Sequence, residues 1–269
     1  MALDERVHAY RRDIADIALA GQLFAPHYAR PLIKGCGTRP AFVYPKPAAD
    51  DHPSSELLPG EEFAVLEISG GWAWGYCRLD HYVGYVEAIA LVDAPPATHL
   101  VAALEAKILP EPSIHVPHLA TLPMGSRVTG HEEAGFLATD VGYVAFTQVR
   151  SLDAHEHDPV AVAERVVGSP YLMGGRSPRG IDCSGLVQVS LLFCGIPAPR
   201  DSDQQRTLGR PLDKAEPAER GDIILFEGHV GMMVDDSDFI HATGHSGAVV
   251  VEPVAAVEGR NPIIGRRRL

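Results

Sequence analysis

Apolar residues Val7, Tyr10, Ile14, Ile17 and Ala18 share one stripe at helical spacing, with Arg and Asp elsewhere, and predict a helical arm over residues 1–24. From Pro40 the pattern changes to short β-prone runs at 41–44, 63–68, 72–79 and 82–91, separated by Pro, Gly and Asp clusters. The plan then repeats. Phe42-Val-Tyr-Pro-Lys-Pro47 resembles Lys107-Ile-Leu-Pro-Glu-Pro112, Leu58-Pro-Gly-Glu resembles Leu122-Pro-Met-Gly, and Val83-Gly-Tyr-Val86 matches Val141-Gly-Tyr-Val144. Three landmarks in one order predict a duplicated all-β module. A polar stretch at 153–158 reads as a linker, and Asp158-Pro159 supply an N-cap and first-turn proline for a helix through Val167. A Gly-rich turn, a second helix and strands at 222–226, 230–234, 238–242 and 248–252 follow. Helices followed by antiparallel strands indicate an α+β domain. The predicted division is 1–94 for the arm and first module, 95–152 for the second, and 153–269 for the α+β domain.

Charge narrows the function. With 23 basic and 35 acidic residues the net charge is −12, which repels a phosphate backbone or an anionic bilayer. Neither nucleic acid nor membrane is an expected partner. The first twenty residues carry Asp4, Glu5, Arg6, Arg11, Arg12, Asp13 and Asp16 in place of an apolar leader core, so export is not expected. The four cysteines, at 36, 77, 183 and 194, lack paired spacings, and reduced thiols in a cytoplasm are the expectation.

The sharpest local feature is Gly180-Ile-Asp-Cys-Ser-Gly-Leu-Val-Gln188, which opens an apolar helix. Asp182 can cap that helix. Cys183 then lies in its first turn, where unpaired N–H groups favour thiolate over thiol, making it a candidate nucleophile. An attacking thiol needs a base, and His229 in Gly228-His-Val-Gly-Met232 suits that role, with Gly228 and Gly231 leaving room for approach. His241 follows twelve residues later, a spacing that lets two antiparallel strands bring both rings together so that His241 orients His229. Cys194 reads as core. Cys183, His229, His241 and His245 are soft metal ligands, but no Cys-x-x-Cys or His-Glu-x-x-His spacing supports a metal site. No cofactor is implied, because thiol, imidazole and oxyanion donors complete the chemistry.

The strand, long loop, hairpin and closing Gly-Tyr-Val strand of the first two modules resemble the bacterial SH3-like barrel. The last domain resembles the NlpC family of papain-like cell-wall cysteine peptidases. That likeness is carried by Tyr171 with Gly174-Gly175, Asp182-Cys183-Ser184-Gly185, Arg200-Asp201-Ser202 with Gln205, Gly221-Asp222-Ile223, His229-Val230-Gly231 and His241. It departs at Met173, where the family often has tryptophan. The resemblance implies a papain-like fold with helices packed on an antiparallel sheet, Cys183 as nucleophile, His229 as base and acid, and His241 as orienting residue. The Cys183 N–H and Tyr171 would hold the oxyanion, with Asp182, Ser184, Arg200, Asp201 and Ser202 also at the substrate. A subgroup with two SH3-like modules cuts murein stem peptides after γ-D-glutamate, in front of a diamino acid, when L-alanine at the N-terminus is free. The first barrel roofs the groove there, Asp201 would meet the ammonium, and Tyr82 would be the barrel's contribution. Asp50, Asp51 and Glu56 are candidate barrel acids that read more simply as solvated loop charges. Murein stem peptides are thus the expected partners, in peptide recycling; the competing reading is a non-catalytic binding module on a vestigial peptidase.

Overall fold

The computed structural model describes residues 3–49, 52–213 and 215–269. The chain divides into two compact units, one ending at Leu152 and the other beginning at Asp153, the start of the polar stretch.

Within the first unit the two modules are built to one plan. In the first, antiparallel strands lie in the order Val83–Glu87, Trp72–Cys77, Glu62–Ser69, Leu32–Cys36 and Leu91–Val92, beside a hairpin of Ala41–Val43 and Ser55–Leu57. Alternation along these strands sends Cys36, Val43, Leu57, Phe63, Val65, Ala73, Cys77, Tyr82 and Val86 into one core. The second module buries Val101, Ala106, Ile108, Leu122, Val128, Leu137, Val144 and Val149 in the same manner. The repeat is written in backbone bonds as well. Tyr44 and Tyr85 exchange reciprocal N–H to C=O bonds of 2.8 Å, and so do Leu109 and Tyr143, the residues the sequence landmarks equate. Glycine is required beside both bridges, because a Cβ on Gly84 would fall 2.8 Å from the Tyr44 carbonyl oxygen and one on Gly142 would fall 2.5 Å from that of Leu109. At the Leu58 and Leu122 landmark the structural match is offset by one residue. Gly60 N–H donates to the Cys36 carbonyl at 2.9 Å as Gly125 N–H does to that of Val101 at 3.0 Å, which equates Leu58 with Pro123 instead of Leu122.

The predicted helical arm is absent. Among residues 3–29 the regular structure is a pair of short strands, Ala15–Asp16 beside Tyr28–Ala29, and a 3-10 turn, Ile17–Leu19. Local side-chain bonds win over helix: the Asp4 carboxylate accepts from the Arg6 N–H at 3.0 Å, and that of Asp16 from the Ala18 N–H at 2.9 Å. Of the apolar stripe Ile14 packs, joining Ala9 against Leu66 and Trp74, whereas Ile17 is 42% exposed. The Arg11 guanidinium carbon lies 4.4 Å from the Trp74 ring centre. Asp50 and Asp51 lie outside the described residues. Glu56 is a buried strand residue opposite Phe42, not a solvated loop charge.

The second unit is a six-stranded antiparallel sheet with helices packed on it. The order is Arg210–Pro211, Ile263–Arg268, Ile223–Phe226, His229–Met233, Asp238–Thr243, Ala248–Pro253. Helix α1, Pro159–Glu164, is capped by Asp158, whose carboxylate takes the N–H groups of Val160 and Ala161. It ends three residues before Val167, the remaining turns tightening to i→i−3 bonds. Helix α2, Cys183–Phe193, packs on the strands His229–Met233 and Asp238–Thr243. Leu186, Val187, Leu191 and Phe193 are fully buried there. A short α3, Val254–Glu258, follows the edge strand. The strands Arg210–Pro211 and Ile263–Arg268 were not expected from sequence. Among the described residues no helix is long and apolar enough to cross a membrane.

Candidate active site

Asp182 fixes the start of α2. One carboxylate oxygen accepts from the Gly185 N–H at 2.7 Å, and the other from the Gly174 N–H at 2.8 Å. Arg200 clamps the same carboxylate in a bidentate pair of 3.0 and 2.6 Å and donates to Ser184 Oγ at 3.0 Å. Gln205 donates its amide to the carbonyls of Ser184 and Pro199, both at 2.9 Å. Arg200 is only 1% exposed. Asp182, Ser184 and Arg200 are thus bonded to one another and pin the start of α2. Asp201 and Ser202 are half-buried in the turn that follows, where the Asp201 carbonyl accepts from the Gln205 N–H at 3.0 Å. Tyr82 belongs to the other unit and packs in the first module's core, 6% exposed.

Cys183 opens α2 at 7% exposure. Its thiol is pushed up to about 11, first by burial and then by the Asp182 carboxylate, against the favourable N–H groups of Val230 and Ser184. The helix-start field was expected to lower it. The capping carboxylate sits in that same turn, so its negative charge cancels the field, and desolvation decides the direction. The Val230 N–H belongs to the residue after His229 and places the thiol against that strand.

His229 and His241 meet as the twelve-residue spacing implies, Nε2 of the first 2.7 Å from Nδ1 of the second. Gly231 makes this approach possible: a Cβ there would fall 2.5 Å from the Ile240 carbonyl oxygen and 2.9 Å from the His241 Cβ. Its service is strand contact, whereas Gly228 turns the preceding hairpin at φ +66°; neither acts chiefly to open the approach to His229. Burial, then the charge of His241, brings His229 down to about 4. Burial lowers His241 as well, opposed by Glu252. Tyr171 is pushed up to about 12, first by burial and then by its proximity to Cys183 and Asp182, which keeps its hydroxyl protonated. Met173 stands 53% exposed, its sulfur 4.0 Å from the Tyr171 hydroxyl.

Two residues of the cluster escaped the sequence reading. Glu252 Oε1 lies 2.9 Å from His241 Nε2 and 2.6 Å from Arg260 Nη2. The signal available was alternation: Glu252 pairs with Phe239, two residues from His241 on the neighbouring strand, so both side chains share a face. His245 stays outside the cluster's bonds, its N–H donating to Thr243 Oγ1. Among the described residues no group of three or more His, Cys, Asp or Glu is placed to hold a metal ion.

Residues 168–265, which contain every member of this cluster, match the NlpC/P60 family. The C-terminal unit is an NlpC/P60 domain. Residues 43–91 match the bacterial dipeptidyl-peptidase SH3 domain, so an SH3 domain precedes the NlpC/P60 domain. Dipeptidyl-peptidase 6 of Lysinibacillus sphaericus is 27% identical over 232 residues, 76% of this chain and 84% of that protein. A probable endopeptidase NlpC homolog of Haemophilus influenzae is 39% identical over 87 residues, and the murein DD-endopeptidase MepS/murein LD-carboxypeptidase of Escherichia coli K12 is 33% identical over 89 residues. Those two matches cover 31% of this chain, and the chain spans only 47% of either protein's length. An NlpC/P60 family protein from Bacillus cereus shares the fold, with a TM-score of 0.75 at 18% identity over 88% of this chain and 99% of that one. The NlpC/P60 domain, with its helix-start cysteine, is that of a cysteine-type hydrolase.

Proposed function

We propose that the protein hydrolyses murein stem peptides at the γ-D-glutamyl–diamino acid bond, releasing L-Ala-γ-D-Glu from peptides with a free N-terminal L-alanine. The 2.7 Å contact between His229 and His241, beside a cysteine at a helix start, carries the chemistry. The substrate rests on likeness: the dipeptidyl-peptidase relative matches across both units, and the SH3 domain is of the dipeptidyl-peptidase type. Asp201 is the acid proposed to meet the free ammonium. Recycling in the cytoplasm belongs to the same proposal.

Both catalytic groups rest neutral, so the proton moves as the bond forms. Cys183 Sγ attacks the scissile carbonyl carbon while its proton passes to His229 Nδ1, the nitrogen not engaged by His241. The oxyanion is held by the Cys183 N–H and the Tyr171 hydroxyl, which stays protonated and able to donate. Collapse breaks the C–N bond, His229 returns the proton to the leaving amine, and a thioester remains on Cys183. Water deprotonated by His229 then releases the γ-D-glutamyl carboxylate and regenerates the thiol.

The test is mass spectrometry of products from L-Ala-γ-D-Glu-diaminopimelate with wild type and Cys183→Ala, beside the same peptide acetylated at its N-terminus. Cleavage after γ-D-Glu only with the thiol and the free amine is expected. Binding without turnover by wild type would replace this reading with a binding module, and equal cleavage of the blocked peptide would remove the free-amine requirement.

A further inference from the structure

Behind His241 the hydrogen-bonded chain runs on to Glu252, whose Oε1 contacts both His241 Nε2 and Arg260 Nη2. Resting on the assignment of Cys183, His229 and His241 to hydrolysis, we propose that Glu252 is a positioning residue that dictates, through two imidazoles, which nitrogen of His229 acts as the base.

An ionised carboxylate only accepts, and the Arg260 guanidinium at 2.6 Å favours the ionised form. Neutral His241 must then carry its proton on Nε2, where Glu252 receives it. That leaves His241 Nδ1 as a bare acceptor, and its 2.7 Å contact with His229 requires the proton on His229 Nε2. The lone pair of neutral His229 is therefore on Nδ1, the remaining nitrogen, where it can take the Cys183 proton. Had Glu252 been absent, the His241 Nε2–H, buried in a ring that is 1% exposed, would lack its acceptor. Moving that proton to Nδ1 would relieve the cost there but turn a donor toward His229. His229 would then hold its own proton on Nδ1, the nitrogen proposed to take the Cys183 proton, and could not serve as base. Glu252 touches neither thiol nor substrate in this scheme; it acts by removing the unproductive tautomer.

The test reads the full-length protein without substrate. Ring-nitrogen chemical shifts in 15N NMR at neutral pH report the His229 tautomer, and the iodoacetamide alkylation rate of Cys183, followed by peptide mass spectrometry, reports the base. Wild type is expected to show the Nε2–H form. Glu252→Met, with similar length but no acceptor, is expected to lose that single form and to alkylate roughly tenfold or more slowly. Glu252→Gln keeps an acceptor and is expected to restore the tautomer and most of the rate, which a merely space-filling role would not predict. The proposal is overturned by an Nδ1–H tautomer in wild type, a reading that needs no variant to fold, by wild-type behaviour in Glu252→Met, or by Glu252→Gln as impaired as Glu252→Met. Because neither readout uses a peptide, a protein that passes both and cleaves no murein peptide would overturn the substrate assignment alone.

Discussion

At the scale of single residues, burial sets the protonation states of the cluster. His229 sits near 4 in the folded protein against an ordinary value near 6.5, so between those pH values the unfolded chain binds more protons than the folded one. Stability contributed by neutral His229 is thus complete above about pH 6.5 and is lost as pH falls toward 4, on the order of 3 kcal/mol. Urea titrations of wild type and His229→Asn across that range are expected to show a flatter dependence in the variant. The acid limb of kcat/KM is expected well below pH 6.5, since the base stays neutral until then. The sequence disclosed the His229–His241 pair because spacing across a hairpin is a one-dimensional record of their contact, and it placed Cys183 because Asp182 marks a helix start. Glu252 left a fainter record. Its partner is reached across a strand pair whose register depends on a turn the sequence alone did not fix, and an acid in an edge strand reads first as solvated.

At the scale of elements, the pinned start of α2 and the close pairing of the histidine strands make the site. Removing Arg200 leaves the Asp182 carboxylate buried beside one lost partner, and Arg200→Ala is expected to cost about 3–5 kcal/mol in chemical denaturation. Gly231→Ala, which drives a methyl into the Ile240 carbonyl and the Phe239 ring, is expected to cost about 1–3 kcal/mol and to part His229 from His241, read as a fall in turnover larger than the stability loss explains. The strands about Phe63, Trp72, Val83, Ile223 and Phe239 were legible because alternation and turn residues bound them on both sides. Leu32–Cys36 escaped because Gly35 interrupts its short pattern, and Ile263–Arg268 because its run of arginines reads as solvated surface. The helical periodicity read over residues 1–24 yields turns and a short strand among the described residues, since Asp4 and Asp16 bond their own backbone more cheaply than an isolated helix can nucleate.

At the scale of the whole molecule, a net charge of −12 works against the anionic peptides proposed as substrate, so kcat/KM is expected to rise about twofold as salt increases from low to physiological strength and screens that repulsion. A fall with salt would point to a cationic substrate instead. The duplicated modules carry a further consequence, for folding kinetics. Val83-Gly-Tyr-Val86 and Val141-Gly-Tyr-Val144 are identical segments closing equivalent bridges, one onto Tyr44 and one onto Leu109. A chain emerging from the ribosome completes the first bridge before the second closing segment exists, whereas a chain refolding from denaturant holds both at once and can lodge either segment in either module. Synthesis from the N-terminus thus supplies an order that the sequence of the two closing strands does not encode.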